Sequence, residues 1–290
     1  MALLASLAVL LVPGCAARPP EPVGRAAPPP PSSRTSAPAP STGATTPAPS
    51  TRAPTSASTP PPGPHQPPYR RWGLPSPLAP APWPPDRPVA PRAAGPAPVV
   101  GRVPTRDKVV FLTYDDGAER DPRFAAMVRE LRLPVTLFLT DRVVGPGYGH
   151  FARLRAVGAT VQNHTLDHRA LRGLPYAGQR AEICGQQYKL GQRFGVRPTL
   201  FRPPYGVYDT TTLRAAADCG IGAVVLWSAS LRSTGLRHTV ADRLRPGDIV
   251  LAGTGGPGRL EGATLTRMTA GLLRRIQERG LTVGRLEDYL

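Results

Sequence analysis

From Thr105 onward, short β-branched runs alternate with amphipathic stretches. The runs Val109–Thr113, Val135–Leu139, Thr160–Asn163, Thr199–Phe201, Ala223–Trp227 and Ile249–Leu251 read as strands. Between them, apolar residues recur at helical spacing in Pro122–Arg132, His150–Val157, Ala177–Arg193, Thr211–Ala217 and Leu265–Arg279. Several of these stretches close on a glycine (Gly158, Gly195, Gly220, Gly280), as a helix C-terminus requires. Strand and helix in alternation predict parallel pairing, as an open doubly wound sheet or as a (β/α) barrel. Both place chemistry at the C-terminal ends of the strands.

Composition sets where this pattern begins. Of 39 prolines in the 290 residues, 30 lie before residue 105. Residues 16–104 are Pro, Ala, Ser, Thr and Gly with scattered Arg, the composition of a disordered, extended tether that cannot offset its ordering entropy by burial. The aromatics Tyr69, Trp72 and Trp83 are strays within it, though they are able to touch a glycan or the domain. The organisation expected is a signal segment at 1–15, a linker at 16–104 and one globular domain at 105–290, long enough for a sizeable core.

The apolar run 2–12 is too short to span a bilayer and reads as an export signal. The string Val12-Pro13-Gly14-Cys15 resembles a bacterial lipobox, which implies lipidation of Cys15 and a membrane anchor on the extracellular face; secretion is the alternative. Export permits a disulfide between Cys184 and Cys219, but their spacing does not fix one, and two separate half-buried thiols are the plainer reading. The net charge of +17 favours polyanionic surroundings. No basic cluster is interleaved with aromatics, so nucleic acid is not expected as a partner.

The polar residues capable of chemistry fall at predicted strand ends. Val109–Leu112 runs into Thr113-Tyr114-Asp115-Asp116-Gly117. Two neighbouring carboxylates repel unless a cation shares the site, so this string is either half of a metal site or a turn with solvated acids. The third strand ends in His164-Thr165-Leu166-Asp167-His168, whose imidazoles share a face if the segment forms a helical turn. The fourth ends in Arg202-Pro203-Pro204-Tyr205-Gly206, where a guanidinium can clamp a carboxylate.

These three strings, in this order, resemble the first three motifs of the NodB-homology polysaccharide deacetylases, carbohydrate esterase family 4. The resemblance spans about 105 to 290 and implies a distorted (β/α) barrel with fewer than eight strands. It implies Asp115 as catalytic base, with Asp116, His164 and His168 as ligands of a divalent metal, zinc or else cobalt. It further implies Arg202 as the residue that orients the base and the Tyr205 N–H as an oxyanion donor. Trp227 and Leu251 would line the substrate pocket.

The chain departs from the family in its last two motifs. Ser230 and Ser233 stand where acids are usual, and Gly253 stands where the family has the His that protonates the leaving amine. His150 and His238 are the other histidines of the domain, each read as a surface or loop residue before a substitute acid. The function expected is metal-dependent deacetylation of an acetylated envelope polysaccharide, peptidoglycan or chitooligosaccharide in type, weakened by the missing acid. The alternative is a glycan-binding protein that has lost turnover.

Overall fold

The structure is a computed structural model, and it describes residues 66–84, 86, 89, 95–118, 120–232, 235–239, 242–252 and 264–290. Its strands are β1 (Val99–Val100), β2 (Val109–Asp116), β3 (Val135–Leu139), β4 (Thr160–Asn163), β5 (Leu200–Phe201), β6 (Ala223–Val225), β7 (Ala229–Arg232), β8 (Gly235–His238), β9 (Ile249–Leu251) and β10 (Thr282–Val283). Its helices are α1 (Pro68–Arg71), α2 (Pro122–Leu131), α3 (Asp141–Val144), α4 (Tyr148–Ala156), α5 (Tyr176–Phe194), α6 (Thr210–Asp218) and α7 (Leu265–Glu278).

The strands line up as β1-β6-β5-β4-β3-β2-β9-β7-β8, with β10 beside the start of β2. Every pairing is parallel except that of β7 with β8. Six of the strands, β2 to β6 and β9, are those the apolar pattern predicts, and they form the (β/α) unit of a distorted, open barrel. β1, β7, β8 and β10 are two to four residues long. They lie outside the apolar runs that mark the other strands, and their neighbours decide them.

Alternation along β2 separates two cores. Val109 and Phe111 face the interior with Phe138, Val225, Ile249 and Tyr289, whereas Val110, Leu112 and Tyr114 face outward beneath α2, α4 and α7. Burial on both faces explains why β2 reads as a continuous apolar run. Local signals fix the helix starts. Asp121 accepts from Arg123 N ahead of Pro122, and Asp209 forms a capping box with Thr212. Asp121 also accepts from the N–H and hydroxyl of Thr266, which ties α2 to the first turn of α7.

The base of the barrel is closed by the C-terminal segment. Tyr289 packs edge-on against Phe111 at 4.9 Å between ring centres. Glu287 accepts from Thr160 Oγ1 at 2.6 Å, Gln162 Nε2 at 3.0 Å and Thr136 Oγ1 at 3.1 Å.

Two expectations need correction. The linker does not run unpacked to residue 104: Leu74 is 3% exposed within the outer core, and Trp72 Nε1 donates to Glu130 at 2.8 Å. Ser76 and Pro77 accept from Gln277, Thr282 donates to Ala79 O, β1 pairs with β6, and Val103 is wholly buried. A few apolar residues in a proline-rich stretch suffice when a domain surface awaits them, a condition that composition cannot reveal. Trp83 does behave as a stray, being 77% exposed. The second correction concerns Cys184 and Cys219, which are joined as a disulfide between α5 and the end of α6. The signal segment with Cys15, and positions Ser233 and Gly253, lie outside the described residues.

Candidate active site and metal centre

β2 delivers Asp115 and Asp116 to the mouth of the barrel. Successive strand residues face opposite sides. Asp116 escapes that alternation by taking φ +69°, which brings its carboxylate to the same side as that of Asp115. The HTLDH segment forms no helical turn, contrary to expectation. It is a loop after β4 in which Thr165 (φ +71°) and His168 (φ +56°) reverse the chain. The loop is held from below: Asn163 Oδ1 accepts from Thr165 N, Thr165 Oγ1 from His168 N, and Glu182 Oε2 from Asp167 N. Leu166 lies over Gly185 of α5, where a Cβ would meet it at 2.4 Å. Among the described residues, four of the five non-glycine residues with positive φ (Asp116, Thr165, His168, Tyr205) thus surround one point, the usual signature of a working site.

The resulting geometry is that of a cation site. Asp116 Oδ1 lies 3.0 Å from His168 Nε2 and 3.3 Å from His164 Nε2. His164 Nδ1 donates to the carbonyl of Arg202 at 2.7 Å. In the neutral ring its Nε2 therefore carries the lone pair rather than a proton. Asp116 Oδ1 is buried without a donor, so acceptors point at one another. The three ligand atoms lie within 4.8 Å of each other. Ligands on a tetrahedral ion with bonds of about 2.0–2.2 Å stand about 3.3 Å apart, so the donor set fits a small divalent cation. Where the imidazoles carry protons in place of a cation, burial still acts to raise the Asp116 carboxyl, but the two rings outweigh it and hold the group well below the usual carboxylate range. Burial likewise opposes a charged His164, and Asp115 and Asp116 together more than offset it.

Asp115 stands beside this set with a different partner. Its Oδ1 accepts from Arg202 Nη1 at 2.7 Å, and its Oδ2 is 3.9 Å from His164 Nε2. Arg202 is wholly buried and immobilised: Nη1 also donates to Thr113 Oγ1, Nε to Val225 O and Nη2 to Leu226 O. Its guanidinium carbon lies 4.2 Å from the ring centre of Phe138 and 5.6 Å from that of Trp227. Burial works against the charge of Arg202, and Asp115 works for it. Ser230 is buried in β7. With carbonyls, a hydroxyl and two rings around it, Arg202 is held without a second acid.

Tyr205 sits at φ +61° with 65% of its surface exposed and its ring edge-on to His168 at 4.8 Å. Its N–H meets no acceptor among the described residues. Trp227 covers Arg202 and packs over Gly206, where a Cβ would come within 3.0 Å of the indole. Leu251 is 3% exposed and in register with Thr113, on the interior side of the sheet. His150 is buried in α4, and His238 is the last residue of β8, opposite the first residue of β7. The sequence reading missed Thr113, Phe138 and Glu182 as supports of the site. Their contacts span 15 to 89 residues, and no short motif contains both partners.

Fold and site together define a (β/α) barrel with an Asp–His–His cluster able to hold a cation and a separate Asp–Arg pair at its mouth. A sequence model of the family described as polysaccharide deacetylase matches residues 102–224. The chain belongs to this family, carbohydrate esterase family 4. It is 66% identical over 195 residues to an uncharacterized Streptomyces coelicolor protein, SCO4760, covering 67% of this chain and 77% of that one. It is 24% identical over 201 residues to a peptidoglycan-N-acetylglucosamine deacetylase of Bacillus cereus, covering 66% and 93%. Among solved structures, a family 4 pseudoenzyme from Bacillus anthracis superposes with TM-score 0.56 at 19% identity, covering 68% of this chain and 69% of that chain.

Proposed function

We propose that this protein removes acetyl groups from an N- or O-acetylated cell-envelope polysaccharide of the peptidoglycan or chitooligosaccharide type, using a divalent metal, zinc or else cobalt. The observation that carries the reading is the division of labour at the mouth: three acceptors converge on one point while Asp115 stands apart, paired with Arg202. The relative from Bacillus cereus supports the substrate class. In this reading Asp116, His164 and His168 hold the metal, which when bound supplies Lewis acidity and lowers the pKa of water.

The other roles belong to the chain itself. Asp115, fixed by Arg202 in the orientation that leaves Oδ2 toward the site, accepts a proton from the attacking water. The unpartnered N–H of Tyr205 donates to the carbonyl oxygen as negative charge develops there. Trp227 and Leu251 bound the space for the acetyl group. Export, with Cys15 lipidated, would set the enzyme against its polymer. The assay is acetate release from acetylated peptidoglycan and chitooligosaccharides by metal-stripped protein, with and without added zinc or cobalt. Metal-stimulated release is expected, and none from any substrate would remove the assignment.

A second reading, a glycan-binding protein without turnover, is favoured by Gly253 standing where the family has its acid His. A missing acid costs about 10²–10⁴ in rate. Because the pseudoenzyme shares this fold, the fold does not choose between the two readings. Expelling an amine needs protonation far more than expelling an alcohol does. Gly253→His should therefore raise N-deacetylation well above O-deacetylation, and equal stimulation of both would reject a proton-donor role at this position.

A further inference from the structure

We propose that the groove between α7 and the edge strand β8 binds an anionic polyol-phosphate chain of the cell wall. The topology fixes its position. β8 runs antiparallel to β7, so His238 pairs with Ala229 at the start of β7. The last turns of α7 lead into β10, which pairs with Val109 and Val110 at the start of β2. The groove therefore runs along the outer edge of the sheet, from Gly235, which pairs with Arg232, past His238 to the last turns of α7.

The groove is open to solvent, with a volume of about 620 Å³, and Arg243, Arg274, Arg275 and Arg279 line it. Among the described residues, none of these four has a carboxylate within ion-pair distance, whereas Arg71, Arg102, Arg129, Arg202 and Arg214 all do. Arg275 Nη1 comes within 3.8 Å of where a Cβ on Gly235 would stand, so the α7 wall closes on the β8 wall through a guanidinium. Arg274 Nη1 donates to the Gly73 carbonyl, and the four guanidinium groups, none with a carboxylate partner, suit repeated phosphate groups along one groove, which guanidinium engages in bidentate fashion.

The rest of the lining narrows the choice of polyanion. Asp242 and Glu278 also face the groove. Bare polyphosphate and an anionic lipid surface would meet them as repulsion, whereas the hydroxyls of a polyol can donate to them. Leu236 and Leu244 offer apolar wall to methylene groups. Among the described residues the His238 imidazole is the one ring in the lining, too little for the successive stacking that holds single-stranded nucleic acid. The lining shares no residue with the Asp116, His164 and His168 cluster, so occupancy of this groove would hold the chain on the wall while it works.

The test measures binding of the full chain to a synthetic poly(glycerol phosphate) by calorimetry at several salt concentrations. The proposal expects Arg275→Ala/Arg279→Ala to weaken binding at least tenfold and to flatten the salt dependence by nearly two counterions. Arg129→Ala/Arg153→Ala, which removes two exposed arginines elsewhere, should change it by less than about twofold. Unchanged melting temperatures would exclude unfolding as the cause. Equal losses in the two variants would mean diffuse charge and overturn the proposal. So would tighter binding to inorganic polyphosphate, to RNA homopolymer or to vesicles of anionic phospholipid than to poly(glycerol phosphate).

Discussion

The two ends of this barrel treat buried carboxylates in opposite ways. At the base, Glu287 takes three donors from β3 and β4, and the C-terminal segment seals the interior behind it. At the mouth, Asp116 Oδ1 is buried against two imidazoles and has no donor. A carboxylate with its lone pairs satisfied is a structural plug, while one facing other acceptors calls for a cation. Backbone strain follows the same division: Asp116, Thr165, His168 and Tyr205 take positive φ at the mouth, and no non-glycine residue of the 285–290 segment does.

The sharpest way to test the contrast is to separate functions within the mouth. Asp115→Asn should lower turnover by about 10²–10⁴ or more while the bound metal, counted by elemental analysis, stays at its wild-type level. Asp116→Asn should instead weaken the metal. If both variants lose metal equally, the roles of the two neighbours have been confused.

The next largest effect is on folding rather than chemistry. Leu74→Ala should cost about 2–5 kcal/mol, as for other large-to-small core changes, measured by urea unfolding of residues 66–290. A cost near zero would return that segment to the tether.

His164→Ala should weaken zinc by more than about 100-fold in a competition titration, beyond the loss expected for an outer-shell partner. Unchanged affinity would dismantle the cation site. The smallest effect belongs to the base. Glu287→Ala strands three donors and should destabilise by about 1–3 kcal/mol with no change in zinc affinity. A change in zinc affinity there would show that the two ends are not independent.

The six main strands were legible as β-branched apolar runs and the five main helices by helical spacing and end signals such as Asp121 and Pro122 at the start of α2 and Gly195 at the end of α5. The site was legible as three short strings, because strand ends in a parallel barrel converge. The supports of the site were not. Thr113 reaches Arg202 across 89 residues, and Glu182 steadies the His loop from a helix that begins eight residues after His168.

By itself, then, the sequence determined the order of elements, the family resemblance and the residue types at each strand end, all consequences of local pattern. Tertiary structure alone decided that residues 66–84 pack, that Cys184 meets Cys219, and that Asp115 and Asp116 separate into an Arg-bound and an imidazole-facing carboxylate. Each of these depends on what a distant segment presents, and periodicity along the chain carries no record of that.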